Sequence, residues 1–170
     1  EIELNKQGAW YMYINGGNDD GGNDDGGDDT VEVPFTSNVA FAGVSSAYTD
    51  GLATVNGVAD IPTLKFGTSK LYGEGTITLP AGTKTVKYYA VGWKGNSTTL
   101  EFSVNGSVVT TQAVVANDGA SGNAPYTMTV TASDCYTFSL PSALTAETTV
   151  TVKTTGSYRA IMFGINAYTK

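Results

Sequence analysis

No histidine occurs among the 170 residues of this chain. That absence removes Ser-His-Asp and Cys-His nucleophilic machinery, histidine-based zinc sites and the commonest general base near neutrality. The single cysteine, Cys135, has no partner for an internal disulfide or a thiolate metal pair. Its apolar setting, SDCYTFSL, reads as a buried packing thiol. Glycoside hydrolysis needs only two carboxyl groups flanking the scissile bond, so it survives this filter. The acids of the body, chiefly Asp50, Asp60, Glu74, Glu101, Asp118, Asp134 and Glu147, are few and mostly at turn positions. Asp at a turn ordinarily accepts backbone hydrogen bonds, and no pair stands out. The expectation is a chain that is not an enzyme.

Residues 16–29 read GGNDDGGNDDGGDD, and this density of aspartate raises calcium, which takes six to eight oxygen donors. The spacing argues otherwise. EF-hand loops need acids at alternate positions and RTX repeats need G-G-x-G-x-D, whereas adjacent aspartates point apart. The tract therefore reads as a solvated linker with a reach of about 20 Å, and no cofactor is expected. Weak or partner-completed calcium binding is the alternative.

The tract holds six of the 16 acids, leaving 10 against nine bases elsewhere, so the net charge of -7 belongs almost wholly to it. Nucleic acid binding requires clustered Lys and Arg, and here one arginine, Arg159, accompanies scattered lysines. Nucleic acid is not an expected partner.

Aromatic residues are the remaining candidates. Trp10, Tyr11 and Tyr13 precede the tract; Tyr88, Tyr89 and Trp93 lie in KYYAVGWKG; Tyr48, Tyr72, Tyr126 and Tyr158 stand near turns. A sugar ring stacks its apolar face on indole or phenol while neighbouring polar groups bind its hydroxyls. Alternation puts Tyr89, Val91 and Trp93 on one strand face and Val86, Tyr88 and Ala90 on the other, so one set must be core. Trp93 ends its strand and runs directly into Lys94, Gly95 and Asn96. The candidate ligand platform is Trp93, Tyr89, Lys94 and Asn96.

The elements that position these residues are strands. After the tract, β-branched and aromatic runs alternate with Gly, Pro, Ser and Asn punctuation, and no helical period holds. Strands are expected over 31–41, 52–56, 63–66, 75–79, 85–93, 98–104, 108–115, 126–131, 136–140, 148–153 and 159–168. Asn105-Gly106 is the sharpest hairpin signal, linking LEFSV to VVTTQAVV. In the last run, alternation places Ile161, Phe163, Ile165 and Ala167 on one side, with Ala160, Met162, Gly164 and Asn166 opposite. About ten short strands in a body of about 140 residues favour a two-sheet antiparallel β-sandwich of jelly-roll kind, all-β throughout.

The domain reading is a short segment, 1–15, as the terminal strand of an upstream domain or an added strand, then the 16–29 linker, then a sandwich over 30–170. The sequence opens at Glu1 with neither an initiator methionine nor a signal-peptide pattern, so Glu1 reads as a cloning or processing boundary. No apolar run approaches the ~20 residues of a membrane span. No heptad seam is present, which leaves pairing of an exposed edge strand as the route to an oligomer.

Residues 64–106, LKFGTSKLYGEGTITLPAGTKTVKYYAVGWKGNSTTLEFSVNG, and 157–168, SYRAIMFGINAY, carry a resemblance. Their GWKG, NG hairpin, threonine-rich penultimate strand and closing FGINAY resemble C-terminal jelly-roll-like, carbohydrate-binding-like modules of secreted and surface lipoproteins from gut anaerobic bacteria. The tract is similar to linkers joining domains in such proteins. The resemblance implies an extracellular or cell-surface, non-catalytic module whose partner is a polysaccharide or glycoprotein glycan. A purely structural or adhesive sandwich, and an accessory domain of a secreted hydrolase, are the alternatives.

Overall fold

A computed structural model of the chain describes residues 33–170. The expectations for 1–15, for the 16–29 tract with its calcium alternative, and for Val31 and Glu32 fall outside that range. The described residues are all-β apart from one 3-10 turn, Ala132–Asp134. They contain no helix long and apolar enough to cross a membrane.

One sheet has five strands in the order β1 (Ala40–Ser45), β6 (Glu74–Leu79), β12 (Thr148–Thr155), β8 (Thr98–Val104) and β9 (Ser107–Val114). The second, also of five strands, runs β11 (Cys135–Ser139), β7 (Thr85–Gly92), β13 (Ala160–Tyr168), β5 (Leu64–Phe66) and β2 (Ala47–Tyr48). The pairings within both sheets are antiparallel. Between them lies one core, to which the first sheet contributes Ile77, Leu79, Leu100, Phe102, Val150 and Val152 and the second Leu64, Phe66, Val86, Tyr88 and Met162. Period-2 alternation generates this face, because every second side chain of a strand points the same way. The expected sandwich is therefore present.

A third sheet was not expected. It has three strands in the order β10 (Tyr126–Met128), β3 (Leu52–Val55) and β4 (Val58–Pro62). Asn56 and Gly57, with φ of +50° and +85°, make the tight turn joining β3 to β4. This is the same Asn-Gly chemistry that closes β8 onto β9, where Asn105 and Gly106 have φ of +51° and +81°. The third sheet packs Ala53, Val55, Ile61 and Met128 against Tyr89, Val91, Trp93, Ile161 and Phe163, the outward face of the second sheet. Strands β7 and β13 are thus covered on both faces.

Two expectations change here. Residues Val33–Asn38 are not a strand, and only Ala40 and Phe41 of the run expected over 31–41 belong to β1. The segment instead docks on β13: Asn38 Nδ2 donates to Ala167 O (3.1 Å), Ala167 N donates to Asn38 Oδ1 (2.8 Å), and Ile165 N donates to Ser37 Oγ (2.8 Å). The second change is in β13 itself. Register with β7 slips between Phe163 and Asn166, one extra residue on β13, with Gly164 at φ +57°. Such a bulge reverses the side-chain alternation beyond it. Ile161 and Phe163 accordingly face the third sheet, while Ile165 and Ala167 face the main core, and the four do not share one side.

Candidate functional site

The outward face of the second sheet decides the fate of the KYYAVGWKG aromatics. Tyr89 is buried, stacked on Phe163 at 5.3 Å with 4° between the planes, and capped edge-on by Phe35 at 5.1 Å. Its hydroxyl donates to Val33 O at 2.7 Å. Trp93 is only 8% exposed; Tyr126 meets its ring edge-on at 6.1 Å, and Lys65 Nζ and Arg159 Cζ lie 5.1 and 4.3 Å from its centroid. Neither ring presents a stacking face to solvent. The third sheet and the Val33–Asn38 segment cover what alternation alone leaves open, so both faces of β7 are core.

Lys94 and Asn96 are exposed. They form the turn after Trp93, in which Gly95 has φ +78° and Asn96 N donates to Trp93 O at 2.8 Å. This turn joins other loops at one end of the sandwich. The Thr98 hydroxyl sits 2.8 Å from Thr155 O and 2.7 Å from Ser157 O and accepts from Ser157 N at 3.2 Å, tying the β7–β8 loop to the β12–β13 loop. Trp93 N donates to Arg159 O and Lys94 N to Ala120 O. Gly67 N donates to Ser46 O at 2.6 Å, and a Cβ on Gly67 would fall 1.9 Å from Tyr158 O, so the β5–β6 loop is pressed against both neighbours.

At this end the structure assembles a pair that the sequence leaves apart. Tyr72, 50% exposed, and Tyr158, 38% exposed, meet edge to face with centroids 4.7 Å apart and planes at 66°. The Tyr72 hydroxyl donates to Gly156 O at 3.3 Å, and exposed Leu71 precedes it. An aromatic flanked by small, polar residues in a turn, as in TSKLYGEG and TGSYRA, is the signal that marks them. Tyr48, 43% exposed, is the other aromatic at this end, with Lys65 Nζ 5.4 Å from its ring.

Other features carry less chemistry. A shallow depression of about 400 Å³ is lined by Ala116, Asn117, Asp118, Gly119, Thr127 and Thr129. Its Asn117 amide is engaged in holding the loop, donating to Thr129 O and accepting from Gly119 N. Asp134 accepts from Thr131 N at 2.9 Å in a capping box. Cys135 is half-buried, and burial pushes its thiol pKa up, away from nucleophilic use. Among the described residues no three His, Cys, Asp or Glu side chains gather as metal ligands.

No family model matches the sequence, and no curated protein matches it significantly. Solved structures similar to it include TmCBM61 in complex with beta-1,4-galactotriose, at 14% identity over 81% of this chain and 92% of that one, TM-score 0.41. A glycoside hydrolase family 43 arabinoxylan arabinofuranohydrolase from Bacillus subtilis, in complex with cellotetraose, matches at 13% identity over 81% of this chain and 28% of that one, TM-score 0.43. The enzymatically active domain of Bacteriophage CBA120 tailspike protein 4 matches at 12% identity over 76% of this chain and 18% of that one, TM-score 0.33. At TM-scores below 0.5 these are loose likenesses of shape, and they assign neither family nor ligand.

Proposed function

We propose that residues 33–170 form a non-catalytic, glycan-binding β-sandwich module of a larger secreted or cell-surface protein. The observation that carries this reading is the exposed Tyr72–Tyr158 pair, held edge to face at the loop-bearing end of the sandwich. Two aromatic faces at a steep angle offer a sugar a stacking surface and a wall. Exposed Lys94 and Asn96 belong to the adjoining loop and supply donors for hydroxyl groups. Rigid strands position the loops that carry these side chains, as binding loops generally require.

The test is binding of the chain to an array of polysaccharides and mucin-type glycans. Tyr72→Ala and Tyr158→Ala should each weaken the strongest interaction by about tenfold or more, since truncating an aromatic anchor commonly removes that much. Their melting temperatures should stay within a few degrees of the parent. Silence across the array, or full binding by both variants, overturns the reading. The burial of Tyr89 and Trp93 would then favour a structural or adhesive module without a small ligand.

A further inference from the structure

Beside the tyrosine pair, the outward face of the second sheet carries two cations that form no ion pair with a carboxylate among the described residues. Register places them there. Tyr48 opposes Lys65 across β2 and β5, and Lys65 opposes Ile161 across β5 and β13. Two residues earlier, alternation brings Arg159 to the same face as Ile161, beside Trp93. Tyr48 and Lys65 on β2 and β5, with Arg159 just before β13 and Trp93 just after β7, thus lie together on this face.

The distances make the group a single electrostatic unit. Lys65 Nζ and Arg159 Cζ lie 5.1 and 4.3 Å from the same indole centroid. Both being measured to one ring, the charges lie within a Debye length of each other, about 10 Å at 0.1 M salt. Lys65 Nζ donates to Gly67 O at 2.9 Å. The Arg159 guanidinium has no hydrogen bond or ion pair with any described residue, and its contact is the Trp93 ring. Burial, and after it the charge of Arg159, holds the Lys65 ammonium below the ordinary lysine range. Asp50 acts on the Tyr126 phenol, yet it makes no ion pair with either cation.

Covering the indole needs one cation. A second beside it adds repulsion, and no ion pair with a described residue relieves it. Composition does not force this arrangement, because the body's charges nearly balance, yet the one arginine of the chain stands next to a lysine. A planar guanidinium with unused N–H donors matches a carboxylate or sulfate bidentately, and a neighbouring ammonium adds a point charge. Tyr48 at the outer end of the group offers an exposed ring on which a sugar can rest.

We propose that Lys65 and Arg159 form an anion subsite, receiving the carboxylate or sulfate of an acidic sugar residue whose ring lies on Tyr48, so that the preferred ligand is an anionic polysaccharide. This rests on the glycan-binding reading above and narrows its ligand class.

With one arginine in the chain, the ¹⁵N spectrum of the full protein holds a single arginine Nε–Hε signal, a direct reporter of Arg159. The probes are galacturonate and glucuronate oligosaccharides, their carboxyl-reduced counterparts, and sulfated galactose oligosaccharides. An acidic probe should move the Arg159 signal saturably and bind about tenfold tighter than its neutral counterpart, with the difference shrinking as salt rises. Arg159→Gln and Lys65→Gln should abolish that preference while leaving neutral affinity within about twofold, and Arg159→Lys should restore only part of it. A response to sulfated but not uronate probes identifies the sulfate ester as the anion. Equal binding of acidic and neutral probes with an unmoved Arg159 signal overturns the anion subsite and leaves the glycan reading standing. Binding of no probe overturns the anion subsite, and silence across the glycan array as well overturns both.

Discussion

Replacing Trp93 with alanine separates a core indole from a presented one. The ring is 8% exposed, with Tyr126 in a T-shaped contact and Lys65 and Arg159 over the indole. Truncating a buried Phe or Trp to Ala costs about 3–5 kcal/mol, through lost transfer energy and the cavity left behind. The edge-to-face contact with Tyr126 is worth about 0.5–1.5 kcal/mol and each cation–π contact about 0.5–1 kcal/mol. These overlap with the truncation cost and place Trp93→Ala toward its upper end. In a body of about 140 residues each kcal/mol moves the melting temperature by about 3 °C, so the midpoint should fall by about 10–15 °C. Calorimetric or circular-dichroism melts measure this directly. Tyr72→Ala, which removes a half-exposed ring, should shift the midpoint by no more than about 3 °C. A Trp93→Ala protein that melts within about 3 °C of the parent but no longer binds glycan would refute the burial argument. It would return Trp93 to the surface platform that the strand-end position implies.

Gly164→Ala should destabilise by about 2–4 kcal/mol, because φ is +57° and a Cβ would meet Pro34 O at 2.6 Å and Tyr89 Cδ2 at 2.8 Å; an unchanged urea midpoint would show that the bulge adapts. Thr98→Val removes the hydroxyl that joins the β7–β8 and β12–β13 loops and should cost about 1–3 kcal/mol. Hydrogen exchange at Ser157 should accelerate, and glycan affinity should fall with it; full protection of that amide would sink the idea that Thr98 holds the loops together. Burial first, and then Cys135, raises the Tyr168 phenol to about 12. Above pH ~10 the unfolded chain releases this proton while the folded chain keeps it, so stability is full below pH ~10 and is lost as pH rises toward 12. Melts across this window should fall less steeply for Tyr168→Phe, by at most about 1.4 kcal/mol per pH unit, and identical slopes would count against the linkage.

Strand periodicity, the Asn105-Gly106 turn and the exclusion of histidine chemistry are local properties, and they were legible residue by residue. Nearly all the long strands lie where alternation places them, because each strand's inward face is written at i and i+2. The β3–β4 hairpin is equally legible in Asn56-Gly57, although VADIP, with Asp60 and Pro62 in five residues, lacks the alternation of a strand. What alternation cannot say is whether a strand's second face is wet. A sheet assembled from β3, β4 and β10, together with the Val33–Asn38 segment, settles that for Tyr89 and Trp93. The Gly164 bulge likewise turns Ile165 and Ala167 inward, at the place where a segment more than a hundred residues away docks on β13. The tyrosine pair and the Tyr48–Lys65–Arg159–Trp93 group depend on the same long-range pairing, since their members come from different strands and loops. The sequence by itself determined the kind of element and the chemistry excluded. Tertiary structure alone decided which aromatics meet solvent and which charges stand together, because burial and charge proximity belong to residues that share no local stretch of chain.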